Sequence, residues 1–120
     1  MAVDKSLVSG STSMLILRLL EEKDMYGYEM IEGLRRKSRN VFEMKAGTLY
    51  PLLHGMETKG MLRSYTLSDA VQAHQSEKAG KTRKYYSITK EGRKALAKKK
   101  EEWLAYTQAV ADVLSMGGAV

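Results

Sequence analysis

Lys45 to Leu62 reads KAGTLYPLLHGMETKGML, and this stretch decides the fold. Leu49, Leu52, Leu53 and Met56 recur at the spacing of one helical face, which makes them a buried stripe. Lys45, Thr48, Tyr50, Pro51 and His54 lie off that stripe. The segment therefore reads as a short helix starting near Ala46 or Gly47, polar and aromatic at its leading end and apolar behind. Gly60 is its expected C-cap. Pro51 is read as falling where a first-turn proline is tolerated, because its missing N–H costs little there. Tyr50 and His54 share one side of the helix, and their joint placement favours a ligand-facing role over two idle surface residues.

Further on, Lys81 to Leu96 reads KTRKYYSITKEGRKAL, a basic strand running directly into a basic helix. Leu62 to Leu67 and Arg83 to Thr89 are the two expected strands. Lys84, Tyr86 and Ile88 fall on one side, so if Ile88 packs inward, so does Tyr86, and Tyr85 faces out. Ser68 to Thr82 shows no periodicity, and a loop of that length inside a compact domain is usually mobile or functional. Thr89 is positioned to cap a last helix running from about Lys90 to Ser115, with Gly92 an oddity in its first turn and Gly117-Gly118 as its stop. Leu96, Trp103 and Val110 repeat at seven residues, and Lys99, Tyr106 and Val113 form the companion row. That is an a/d seam spoiled only by Lys99, and a long helix with so narrow a stripe implies a partner helix, the same helix of a second subunit.

Upstream, Ser11 and Thr12 can cap a helix from about Ser13 to Glu22 that is apolar nearly all round, which predicts burial on more than one side, part of it against a second subunit. Met25-Tyr26-Gly27-Tyr28 opens the next helix, reaching about Ser38, with Ile31, Leu34 and Ser38 on one face. Gly27 shares that face and allows close helix approach. Arg35, Arg36, Lys37 and Arg39 suit the negative end of the helix dipole, a reading favoured over phosphate contact. Tyr26 lies at a helix start, where free N–H groups attract phosphate. Tyr28 is expected to be partly core.

The chain has 120 residues, enough for one domain with one core. The absence of Cys excludes disulfides and thiolate chemistry. The longest apolar run, Met14 to Leu17, is too short to span a bilayer, and no leader is evident at the start, so the expected location is the cytoplasm. The net charge is +6, yet Lys81 to Lys100 alone carries nine basic residues against Glu91, a local +8. A field concentrated in this way attracts polyanions. His54 and His74 are the only histidines. There is no H-E-x-x-H, Gly-rich phosphate loop or Gly-x-Ser-x-Gly, so enzymatic readings are poor, and neither a metal nor a cofactor is expected.

These features specify a mainly α chain with a small β-hairpin. Residues 1–89 form a winged helix-turn-helix and residues 90–120 a long C-terminal dimerisation helix, the whole being one compact unit. Duplex DNA is the first partner, met by Tyr26, Lys45, Thr48, Tyr50, Pro51 and His54 around the groove-entering helix and by Lys81, Arg83 and Lys84 on the wing. Leu96, Trp103, Tyr106, Val110 and Val113 are the expected dimer interface. Two Trp103 rings across a two-fold axis could hold a flat aromatic effector, with Ser13, Met14, Leu17 and Leu96 as further walls. The competing reading from another class is a winged-helix module that docks an acidic protein partner through the same basic segment.

The residues also resemble the PadR family of bacterial transcriptional regulators over about Ser11 to Trp103. The marks are Tyr26-Gly27-Tyr28-Glu29, then Gly47-Thr48-Leu49-Tyr50-Pro51 with Leu53 and Glu57, then Gly60, and finally Arg83-Lys84-Tyr85-Tyr86 with Thr89, Glu91 and Gly92. The resemblance implies a homodimeric repressor at a palindromic operator, dimerised through the C-terminal helix and belonging to the short branch without an extra effector domain. It implies that Thr48 and Tyr50 belong to the recognition helix and Arg83 and Lys84 to the wing. It also implies that Trp103 stands where an interface aromatic contributes to a small aromatic or drug-like ligand's pocket. Two departures stand out: the Ser68 to Gly80 loop is longer than the usual wing, and Lys99 and Lys100 place charge beside the expected pocket.

Overall fold

The computed structural model describes residue 7 and residues 10–68 and 82–115. Their elements follow in order as α1 (Thr12–Glu22), β1 (Met25–Tyr26), α2 (Gly27–Lys37), α3 (Ala46–Thr58), β2 (Leu62–Ser68), β3 (Thr82–Ile88) and α4 (Lys90–Val113). The expectation of a mainly α winged helix with a long last helix holds, with one addition. Met25 and Tyr26 do not open α2. They form a short strand antiparallel to β3, Met25 opposite Tyr86 and Tyr26 opposite Tyr85, so the hairpin becomes a three-stranded sheet of order β1-β3-β2. Two residues carry no detectable alternation, which is why the strand was not legible.

The helices form because their apolar residues meet. Ile16, Leu17, Leu19 and Leu20 of α1 pack with Met30 and Leu34 of α2, Leu49, Leu53 and Met56 of α3, Leu62 and Ile88 of the sheet, and Leu96 of α4. Each fully buried leucine among them contributes roughly 1.5–3 kcal/mol of burial free energy. Leu52 and Ile31 only flank this core, and the buried face of α2 runs through Gly27, Met30, Gly33 and Leu34 rather than through Ile31 and Ser38. Gly33 lies close beneath Leu19, letting α2 approach α1.

Helix ends explain the connections. The α3 terminus is a Schellman motif: the Gly60 N–H donates to the Glu57 carbonyl (2.9 Å) and the Met61 N–H to that of Met56 (3.0 Å), with Gly60 at φ +79°. Thr89 then joins three elements. Its N–H donates to the Met61 carbonyl (3.1 Å), its hydroxyl donates to the Gly60 carbonyl (2.6 Å), and its oxygen accepts from the Gly92 N–H (3.0 Å) as the α4 N-cap. Gly92 loses its oddity here, since a Cβ at that position would collide with the Met61 backbone and Ile88. By contrast Ser11 occupies the α1 N-cap without a side-chain cap bond.

Pro51 requires a correction. It lies in the second turn of α3, not the first, so the Gly47 carbonyl loses its helical donor. Gly47 and Pro51 are both exposed, so the cost falls at the surface. Likewise α4 ends at Val113, with Ser115 at φ +58°, before the Gly117-Gly118 stop expected for it, which lies outside the described residues. The strands pair one residue further than expected, to Ser68 opposite Thr82. The loop assigned to Ser68 to Thr82 lies otherwise outside the described residues.

Candidate nucleic-acid interface

Burial of Leu49, Leu53 and Met56 fixes the rotation of α3 and turns Lys45, Thr48, Tyr50, Pro51 and His54 to the exposed side. Tyr50 is 46% exposed, and its ring occupies the space a Cβ on Gly27 would fill. The notch at Gly27 therefore seats Tyr50 against the first turn of α2. Glu29 steadies that turn, its carboxylate accepting from the Tyr26 N–H at 3.1 Å.

Tyr26 connects α2 to the sheet. The Arg83 guanidinium lies over its ring at 4.6 Å from the centroid, and Tyr85 meets it edge-on at 5.4 Å. Tyr65 stacks on Tyr85 with ring centres 5.8 Å apart, and its hydroxyl donates to Asp24 at 2.6 Å. That bond, with some burial, raises the Tyr65 pKa above its ordinary 10.0. Burial raises that of Tyr86 on the inner face. Two contacts thus tie α3 and β3 to the start of α2: Tyr50 covers the buried Gly27, and Arg83 covers the half-buried Tyr26. Lys84 lies on the opposite face of β3, its ammonium 5.6 Å from the Tyr86 ring. Lys81 lies outside the described residues.

Several expectations change here. Tyr28 is 64% exposed rather than part of the core, because Met30 and Leu34 take the inward positions of α2. Tyr85 faces outward as read, but Tyr26 and Tyr65 half-cover it; Tyr65 and Asp24 were missed because only their partnership across the sheet shows their place. The basic end of α2 is engaged locally: Arg35 pairs with Glu32 and donates to Asn40, and Lys37 pairs with Glu22. These contacts hold the Glu22 and Glu32 carboxyls below their usual range, in each case chiefly through the hydrogen bond from the basic partner.

The other expected site lies between α1 and α4. An open groove of about 330 Å³ there is lined by Met14, Leu15, Arg18, Leu96, Lys100, Trp103 and Leu104. Met14, Leu96 and Trp103 are expected walls. Ser13 is not a wall, and Leu17 is wholly buried in the core. Lys100 brings the charge expected beside the pocket, whereas Leu15, Arg18 and Leu104 were missed. Leu96 is 1% exposed, so the protomer's own core already covers it as α4 leaves the body, and little of it remains for a second subunit. The rest of the seam stays open, with Trp103 37%, Tyr106 62%, Val110 39% and Val113 84% exposed. Among the described residues no three His, Cys, Asp or Glu side chains come together to hold a metal, and no helix is long and apolar enough to cross a membrane.

Two packed helices, a hairpin beside the second and a long helix behind define a winged-helix regulator of the DNA-binding class. The model of the transcriptional regulator PadR-like family matches residues 16–98, and the chain belongs to that family. It is 34% identical over 103 residues to an uncharacterised protein of Lysinibacillus sphaericus, covering 84% of this chain and 85% of that one. A solved transcriptional regulator from Clostridium thermocellum is 30% identical, with a TM-score of 0.79 over 92% of this chain and 96% of its own. A PadR family transcriptional regulator from Eggerthella lenta is 30% identical, with a TM-score of 0.76 over 91% and 86%. A Clostridium difficile regulator of the same family is 36% identical, with a TM-score of 0.68 over 87% and 98%. The chain is accordingly a DNA-binding transcriptional regulator and not an enzyme.

Proposed function

We propose that two copies of this chain associate through α4 and bind a palindromic operator in duplex DNA as a repressor. The observation that carries this reading is the pair of contacts that hold the exposed side of α3 and the wing strand against one helix start: Tyr50 seated on Gly27, and Arg83 on Tyr26. In this reading α3 enters the major groove, where Lys45, Thr48, Tyr50, Pro51 and His54 meet base edges and phosphates. Arg83, with Lys81 and Lys84, follows the backbone or minor groove and fixes position more than sequence. The two half-sites stand roughly one helical turn apart, about 34–36 Å between centres. Residues 1–89 are the DNA-reading part and residues 90–120 the dimerising part.

Release is assigned to a small aromatic effector beside Trp103. The groove there is nearly all apolar, with Lys100 at its edge for a polar or anionic group, while Arg18 in its lining pairs with Glu22 at 3.3 Å. An effector that altered the angle between two α4 helices would change the spacing of the two α3 helices and mismatch both half-sites. The test is a titration of the purified protein against the DNA upstream of its own gene and a scrambled duplex of equal length, at about 150 mM salt, where loose electrostatic binding is weakened. A preference of about a hundredfold or more is expected. Equal weak binding to every promoter fragment tried would favour the acidic-protein reading of the basic segment.

A further inference from the structure

Beyond Tyr65 and Tyr85 the β2–β3 hairpin leaves the body as a two-stranded ribbon, since β1 pairs with β3 only at Tyr85 and Tyr86. A two-stranded ribbon holds its direction poorly without an anchor. Where β1 ends, the described residues place an anchor across the sheet, a row of three tyrosines directly opposite one another on the outer face: Tyr65 of β2, Tyr85 of β3 and Tyr26 of β1. Tyr65 lies against the Tyr85 ring and reaches past it, and its hydroxyl donates to Asp24, the residue before β1, at 2.6 Å. The outer edge strand is thereby tied to the far side of the sheet. Arg83, two residues along the same face of β3, rests on Tyr26 in the same row.

From this geometry we infer that Tyr65 and Asp24 are positioning residues for DNA binding: their hydrogen bond braces the ribbon against the start of α2 and so sets where Arg83 and the wing stand relative to α3. The brace touches no DNA itself. Arg83 delivers the contact, and the row holds it in place. A side-chain hydrogen bond from a neutral hydroxyl to a carboxylate is among the stronger kinds, and here it acts at the end of a rigid ring. A small rotation at the row becomes a displacement of ångströms at the ribbon's outer end.

The DNA part of this inference rests on the proposed function, so the test has an arm independent of it. Because the chain has no Cys, nitroxide labels can be placed at Thr66→Cys and Lys59→Cys alone, on the ribbon and behind α3. In the otherwise unchanged protein one narrow distance distribution is expected. Tyr65→Phe, which removes only the hydroxyl, broadens it, Asp24→Ala does the same, and the double variant is no broader than either. In operator binding, Tyr65→Phe weakens affinity about five- to tenfold and lowers the slope of log K against log salt by about one, the loss of one phosphate contact. Arg83→Gln loses the same slope, and adding Tyr65→Phe to it costs nothing further.

An unchanged distribution overturns the inference, as does operator affinity falling with the slope intact, which would mark general loss of folding. If the parent shows no preference for any promoter, the repressor reading fails separately. The brace is then judged on the distance distributions, where equal widths reject it.

Discussion

Gly27 and Tyr50 come from different helices yet act as one unit, because the absence of a side chain on one creates the seat for the ring of the other. Gly27→Ala puts a methyl group into that seat. Tyr50 must then tip away from α2, and overpacking of this kind costs about 1–3 kcal/mol. The expected outcome is a lower chemical-denaturation midpoint together with operator affinity reduced about as much as by Tyr50→Ala. Retained affinity with lowered stability would show that Tyr50 needs no seat. Tyr65 offers a reading by pH. Its pKa is raised in the fold, chiefly by its hydrogen bond to Asp24, so its contribution to stability is complete below the ordinary tyrosine pKa of 10.0. It is lost as pH rises through the higher folded value. The difference in ultraviolet tyrosinate titration between the parent and Tyr65→Phe isolates this group. It should ionise above 10.0, and Asp24→Ala should bring it down; coincident curves would deny the bond in solution.

Elements differ in how openly the sequence declares them. The leucine and methionine spacing of α3, the Gly60 stop and the Thr89 cap are local signals, and local signals survive folding, so each lies where the sequence places it. What was not legible depends on neighbours. β1 exists only because β3 offers Met25 and Tyr26 a partner, Tyr28 is exposed only because Met30 and Leu34 take the core, and Leu96 belongs to the protomer because α1 covers it. The candidate interface divides the same way: the exposed side of α3 follows from its periodicity, whereas the Tyr26–Tyr85–Tyr65 row needs the register across three strands. The α3–α4 junction gives this scale its prediction. Thr89→Ala removes the cap of α4 and its bond to the Gly60 carbonyl, at a cost of about 1 kcal/mol or somewhat more. Thr89→Ser keeps both bonds and should restore most of that loss in thermal unfolding. A Ser variant as weak as Ala would assign the effect to the threonine methyl group.

The whole molecule is lopsided. The body is packed around one core, while α4 carries Trp103, Leu104, Tyr106, Val110 and Val113 on open surface, with Leu114 exposed just past its end, and the principal extents are 64 × 32 × 22 Å. Exposed apolar surface of this length on one helix is a liability for a monomer and is the usual mark of an association site. In the proposed dimer the outer half of α4 is the contact, since Leu96 is already covered and Lys99 interrupts the inner part of the seam. Association should therefore depend on Tyr106, Val110 and Val113 far more than on Leu96. Val110→Lys or Tyr106→Lys places a charge in the seam, and sedimentation equilibrium should then show a monomer at concentrations where the parent is a dimer. Leu96→Ala, which opens a core cavity, should lower stability by about 2–5 kcal/mol and leave the dimer constant much closer to that of the parent. Because only the folded state associates, the melting temperature of the parent should rise with protein concentration and that of the lysine variants should not. A parent that sediments as a monomer at tens of micromolar, with a concentration-independent melting temperature, would remove α4 as the dimer contact, and with it any effector site formed by two Trp103 rings.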